Sequence, residues 1–214
     1  MLMNSLPSLT ILKQLGRGQT IESICSEQQI SREVFDNWWS EELARRLPDM
    51  QTDLPGGVTG EVSIHRDALG IPHILASGDQ DLFFGFGVAM AQDRLFQLDY
   101  LRRKATGRLS EVIGPDALAS DEIAHTVGLP HIAENEWPRL SDETQHLLES
   151  FSAGVNQVIT AMGELLPVEF ALLDYQPEPW KPVDSLAIEV EFRWYLTGRF
   201  PVILIPELAH QVLG

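Results

Sequence analysis

Apolar positions recur at helical spacing over most of this chain, and alternate like a strand in only two places. In "TIESICSEQQISREVFDNWW", Ile21, Ile24, Ile30, Val34, Phe35 and Trp38 fall three or four apart. Thr20 and Ser31 stand where N-caps would start two helices. "LPDMQTDLPGG" is rich in Pro, Asp and Gly and reads as a linker. Val62 and Ile64 then alternate with polar residues, a turn follows at Ala68 to Gly70, and Ile71 to Leu75 returns, which predicts a β-hairpin. From Asp79 to about Ala105 the pattern is helical, with Leu82, Phe83, Phe86 and Met90 on one face. Leu95, Leu98 and Leu101 continue that face with a drift. Gly85 and Gly87 weaken such a helix by about 1 kcal/mol each, so close approach to a neighbouring backbone is their expected reason. Ser141 to Met162 is the clearest helix: Leu147, Phe151, Val155, Val158 and Met162 form its apolar stripe and Ser141 its cap. "LLDYQPEPWKPVD" is a proline-broken loop. "SLAIEVEFRWYLTGRF" is ambiguous, since "IEVEF" alternates like a strand while its length and the cap candidate Asp184 suit a helix.

These elements imply two parts: residues 1–50, a helical extension that resembles a helix-turn-helix and serves as a packing module, and residues 51–214, the main domain. The second helix of the extension, "SREVFDNWWSEELARR", carries three arginines against four carboxylates, a poor surface for phosphates. The whole chain of 214 residues has a net charge of −16, which disfavours nucleic acid and anionic membrane as partners. No stretch reaches the ~18 to 20 apolar residues of a membrane span. The first twenty residues lack a signal peptide's basic start and apolar run, so a cytoplasmic location is expected, with the periplasm as the alternative. The single Cys25 excludes an internal disulfide and reads as a small buried apolar residue.

Several motifs are candidates for chemistry. "HRD" at His65 to Asp67 lacks the Gly-rich loop and other parts of a kinase and reads as a turn-flanking cluster. Two E-x-x-H pairs, Glu122/His125 and Glu143/His146, match the ligand spacing of di-iron bundles. Glu143, however, lies in a solvated first turn, and two prolines interrupt the segment between the pairs. No Ser-His-Asp set, Cys–His pair, G-x-S-x-G or phosphate loop is present, and nothing implies an organic cofactor.

Read in order, "IHRDALGIPHILA", "DLFFGFGVAMAQDRLFQLDYLRRKATGRLSEVIG", "FSAGVNQVI", "LPVEFALLDYQPEPWKPVDSLA" and "YLTGRF" closely resemble the α chain of the penicillin acylase family of N-terminal nucleophile hydrolases, over about residues 58–200. The resemblance implies an α+β fold, a mostly helical α chain of a four-layer αββα sandwich completed by a β chain. It implies a precursor that cuts itself into an obligate heterodimer, with the nucleophile, usually Ser, as the first residue of β. It therefore explains why no catalytic set is visible here. The implied activity is hydrolysis of a small-molecule acyl amide through an acyl-enzyme, the α-amine of the nucleophile acting as its base. Leu196 matches a position lining the acyl pocket, Arg199 and Phe200 match the pair gating it, and Tyr195 is a further candidate. Glu207 falls near the α-chain ligand of a structural Ca²⁺ shared with β. Gly214 is expected to be the acyl side of the processed bond, unhindered because it has no side chain. The alternative from another class is a non-catalytic helical docking protein built around the N-terminal extension.

Overall fold

The computed structural model describes residues 8–50, 59–198 and 200–213, the backbone alone at 200–203. The chain divides into two compact units, residues 1–100 with 141–182, and residues 101–140 with 183–214.

The first unit opens with three short helices, α1 (Ser8–Gly16), α2 (Ile21–Gln28) and α3 (Arg32–Arg45). Their starts follow the capping rule: Thr20 Oγ1 accepts from the Ser23 N–H and Ser31 Oγ from the Val34 N–H. α2 ends because Gln29 turns left-handed at φ 54°, its N–H closing back on the carbonyls of Cys25 and Ser26. Ile11, Leu12, Ile24, Phe35 and Trp38 form a buried cluster that also takes in Ala171, with Val168 and Leu172 packed against it. Those last three residues belong to α9 (Val168–Leu172). Cys25 is half-buried at the margin of this cluster.

The hairpin forms as expected, from β1 (Val62–Arg66) and β2 (Pro72–Ala76), paired antiparallel from Val62↔Ala76 to Arg66↔Pro72. Asp67 makes its turn: Oδ1 accepts from the N–H of both Leu69 and Ile71. α4 (Asp79–Thr106) follows, with a break at Arg94, where φ −146° and ψ 30° leave the helical region. That break accounts for the drift in its apolar spacing. The buried face of α4 is not the one the large residues suggest. Leu82 and Phe86 are exposed, while Phe84, Val88, Ala89 and Ala91 are buried. The reason is the partner helix α8 (Asp142–Met162), capped by Ser141 Oγ on the Thr144 N–H. A Cβ on Gly87 would lie 2.1 Å from the Phe151 carbonyl oxygen, and one on Gly154 would lie 2.2 Å from that of Phe84. The two backbones touch at these glycines, an approach that a Cβ at either position would block. Gly85 instead makes room for side chains of the hairpin, since a Cβ there would lie 2.8 Å from Ile74 and 2.9 Å from Val62 side-chain carbons. Asn156 on α8 pins the proline-broken loop, accepting from the Trp180 N–H at 2.6 Å and donating to its carbonyl at 2.8 Å.

The second unit holds the last residues of α4, then α5 (Ser110–Ile113), α6 (Leu118–Val127), α7 (Leu129–Glu136), α10 (Pro182–Thr197) and α11 (Phe200–Leu213). Its core is made largely of small residues, Ala105, Ala124, Ala133 and Ala187, with Leu129 and Val190. Such a core lets helices approach closely. α10 settles the ambiguous stretch as helix: Asp184, Ala187 and Val190 are its buried residues, spaced by three. Asp184 is not its cap but lies inside the first turn, where Oδ2 accepts from Arg102 Nη1 at 3.2 Å. Buried Asp121 accepts from the N–H groups of Leu109 and Ser110 at 2.9 and 2.8 Å and so fixes the start of α5.

Candidate functional site

In the second unit α10 stands beside α6 and leaves a groove of about 610 Å³, within the range of small-molecule sites. Trp194, Tyr195 and Leu196 form one wall and Ile123 and Ala119 of α6 contribute to the other, with Ser120 as a polar point. The wall exists because α10 spends its small face on the core. Its large residues point away: Phe192, Trp194, Tyr195 and Leu196 are all exposed, and the rings of Phe192 and Tyr195 stack at 6.4 Å. Lys104 and Glu191 close one side of the groove as an ion pair at 2.7 Å, the glutamate largely buried. The lining is thus mostly apolar and aromatic, with charge present but neutralised locally, which suits an uncharged apolar group more than an anion.

Two of the residues singled out in the sequence, Tyr195 and Leu196, line this groove. Gly198, which lines it as well, immediately precedes Arg199 and Phe200. Arg199 and Gly214 lie outside the described residues, and Phe200 is placed only as the first residue of α11. Trp194, Ile123, Ser120 and the Lys104–Glu191 pair were not foreseen. The one hint was the density of large residues in "FRWYL", too many for a single buried helix face. Arg193, between them, is bound at 2.6 Å to Glu136 and 2.8 Å to Glu189. Its hydrogen bond to Glu136 raises its already high pKa, so it stays charged and structural.

Glu207 is exposed on α11, where Oε1 accepts from Gln211 Nε2 at 3.0 Å. One carboxylate is not by itself a calcium site, which takes six to eight oxygens, so the others would have to come from a partner chain. Among the described residues no three His, Cys, Asp or Glu side chains gather as metal ligands. In the first E-x-x-H pair, a ring nitrogen of His125 is engaged by the Gly107 carbonyl at 3.0 Å. Among the described residues no helix is long and apolar enough to cross a membrane.

Residues 61–211 match the family model described as penicillin amidase. The chain is 39% identical over 149 residues to penicillin acylase 2 proenzyme of a Pseudomonas species (strain SE83), covering 69% of this chain and 19% of that protein. It is 37% identical over 153 residues to the acyl-homoserine lactone acylase QuiP of Pseudomonas aeruginosa, covering 71% and 18%. The chain thus spans about a fifth of the length of these curated relatives. A solved structure, the thermostable penicillin G acylase of Alcaligenes faecalis, superposes with a TM-score of 0.59 at 32% identity, covering 67% of this chain and 75% of that one. Mostly helical, with one hairpin among the described residues, the chain is consistent with the α chain of an N-terminal nucleophile hydrolase. On the family match, the identities and the shared fold together, the chain belongs to the penicillin amidase family.

Proposed function

We propose that this chain is the α subunit of an acylase that hydrolyses an amide bond between an apolar acyl group and a small polar amine, and that it acts only with a β chain cut from the same precursor. The observation that carries this reading is the exposed aromatic and aliphatic wall Trp194–Tyr195–Leu196. It stands directly before Arg199 and Phe200 in a chain of this family. A surface of that kind stabilises by burial when an apolar acyl group covers it, at ~25 cal/mol per Å².

In this reading the first residue of β attacks the amide carbonyl, its own α-amine taking the hydroxyl proton. Such an amine titrates near 7.7 to 8.0 when unperturbed and is substantially neutral in mildly alkaline solution. The amine leaves, the acyl group stays on the nucleophile, and water hydrolyses the ester. The residues of this chain bind and orient: Leu196 and Phe200 bury the acyl group, Tyr195 and Trp194 exclude water from it, and Arg199 meets the polar end of the leaving group. Glu207 would supply this chain's one oxygen ligand to a calcium ion shared with β.

The test is expression of the full precursor followed by denaturing intact-mass analysis and assay on aromatic, short aliphatic and long aliphatic amides. A second chain beginning with Ser, Thr or Cys, and a change of acyl preference in kcat/KM for Phe200→Ala with processing intact, are expected. A single unprocessed polypeptide that hydrolyses none of the amides would overturn the proposal.

A further inference from the structure

The family match begins at residue 61, so the three helices at the front fall outside it. Their surface is an unpromising one for nucleic acid. The exposed charges of α3 are Arg32, Glu33, Asp36, Glu41 and Arg45, and Arg32 already bonds Asp36 at 2.8 Å. The third arginine of the segment, Arg46, is buried; its Nε donates to Glu42 at 2.7 Å and its Nη1 to the Leu166 carbonyl at 2.8 Å.

The inward contacts converge on one short stretch, residues 166–174. The apolar cluster of the three helices closes over α9. At Gly16 the meeting is backbone to backbone, since a Cβ there would lie 1.7 Å from the Leu172 carbonyl oxygen. Just past α9, Asp174 adopts a left-handed φ of 57°, a conformation that costs a non-glycine residue about 1 kcal/mol. Its carboxylate is held by Lys13 of α1 at 2.5 Å and by Arg17, just past the end of that helix, at 3.7 Å. The next residue, Tyr175, packs its ring on Phe170 and places its hydroxyl 2.8 Å from Asp99 Oδ2. Asp99 lies on α4 and is 1% exposed. A line of direct contacts therefore runs from α1 through the turn at Asp174 to a buried carboxylate on the central helix.

We propose that α1–α3 form an intramolecular clamp that fixes the left-handed turn at Asp174 and thereby holds the Tyr175 hydroxyl on Asp99. Lys13, Arg17 and Gly16 are positioning residues in this account. It goes beyond the acylase reading and does not depend on it.

Hydrogen exchange measured by mass spectrometry on the full protein tests this. In the double variant Lys13→Met/Arg17→Met, amides of residues 168–176 should exchange at least about tenfold faster, while the hairpin and α8 keep their protection. Adding Asp174→Gly should restore protection, because glycine takes a positive φ without cost. Gly16→Val should accelerate the same segment by wedging α1 off α9. Unchanged exchange at 168–176 in both the double variant and Gly16→Val would overturn the proposal. So would acceleration spread evenly over α4 and α8, or failure of Asp174→Gly to restore any protection.

Discussion

The contact between α4 and α8 permits a quantitative test. Gly87→Ala introduces a Cβ 2.1 Å from the Phe151 carbonyl oxygen, where ordinary contact begins at 3.4 Å. The obstacle is backbone, so no rotamer change relieves it, and the helices must part locally by about 1.3 Å, the difference between those distances. Overpacking of this kind costs about 1 to 3 kcal/mol, and more when backbone must move. Parting also loosens the contacts of Phe84, Val88 and Val155, which are all buried. Alanine returns about 1 kcal/mol through helix propensity. The net expectation is a loss of about 2 kcal/mol, a Tm lower by roughly 4 to 8 °C for a chain of this size. Gly154→Ala, at 2.2 Å from the Phe84 carbonyl, should behave alike. The double variant should cost less than the sum, because one displacement relieves both clashes. Gly78→Ser is the control: a Cβ there meets nothing within 4 Å, and serine is a good N-cap for α4. Scanning calorimetry of the isolated protein decides it. A Gly87→Ala protein that melts with or above the parent would refute the backbone contact.

Four further outcomes are expected. Burial pushes the Asp121 carboxyl up, but hydrogen bonds from Ser110 and the Leu109 N–H outweigh it and hold its pKa below the ordinary range. A lowered folded pKa contributes stability above the unfolded value near 3.9, lost as pH falls through the folded one. Asp121→Asn should thus cost about 1 to 2 kcal/mol at neutral pH and flatten the acid limb of a urea-midpoint profile. Arg46→Ala strips buried Glu42 of one of its two arginine partners and should cost about 3 kcal/mol by urea denaturation. Trp194→Ala should lower kcat/KM for bulky acyl amides several-fold more than for acetyl amides, consistent with ~1 to 3 kcal/mol for one buried group. Chelation of calcium should lower the Tm of the two-chain enzyme and leave Glu207→Gln unmoved.

Much of the local structure was legible because it rests on short-range rules. The caps at Thr20, Ser31 and Ser141, the hairpin turn at Asp67 and the helical stripe of α8 all depend on neighbours within four residues. The close approach at Gly85 and Gly87 was also readable, since two glycines in a helix need a reason. The face of α4 was legible only in part: Leu95 and Leu98 are buried, whereas Leu82 and Phe86 are exposed, because close contact at Gly87 sets which side of that stretch meets α8. Asp184 passed for a cap because its partner, Arg102, is 82 residues away in sequence. The groove beside α10 was half visible: resemblance supplied Tyr195 and Leu196, but Ile123, Ser120 and Lys104 reach it only through tertiary folding.

The break at Arg94 has a consequence for how length variation is tolerated in α4. A helix turns by 100° per residue, so residues beyond 94 carry an angular phase set by that one non-helical position. Asp99, which finds Tyr175 in the same unit, lies downstream of it. Removing one residue at 94 would let the two stretches run on as a single rod, with every later side chain rotated by about 100°. The buried contact between Asp99 and Tyr175 would then be lost, although neither residue had changed. The irregular turn is in this sense a phase setting, and an insertion or deletion there is expected to be tolerated less well than a substitution.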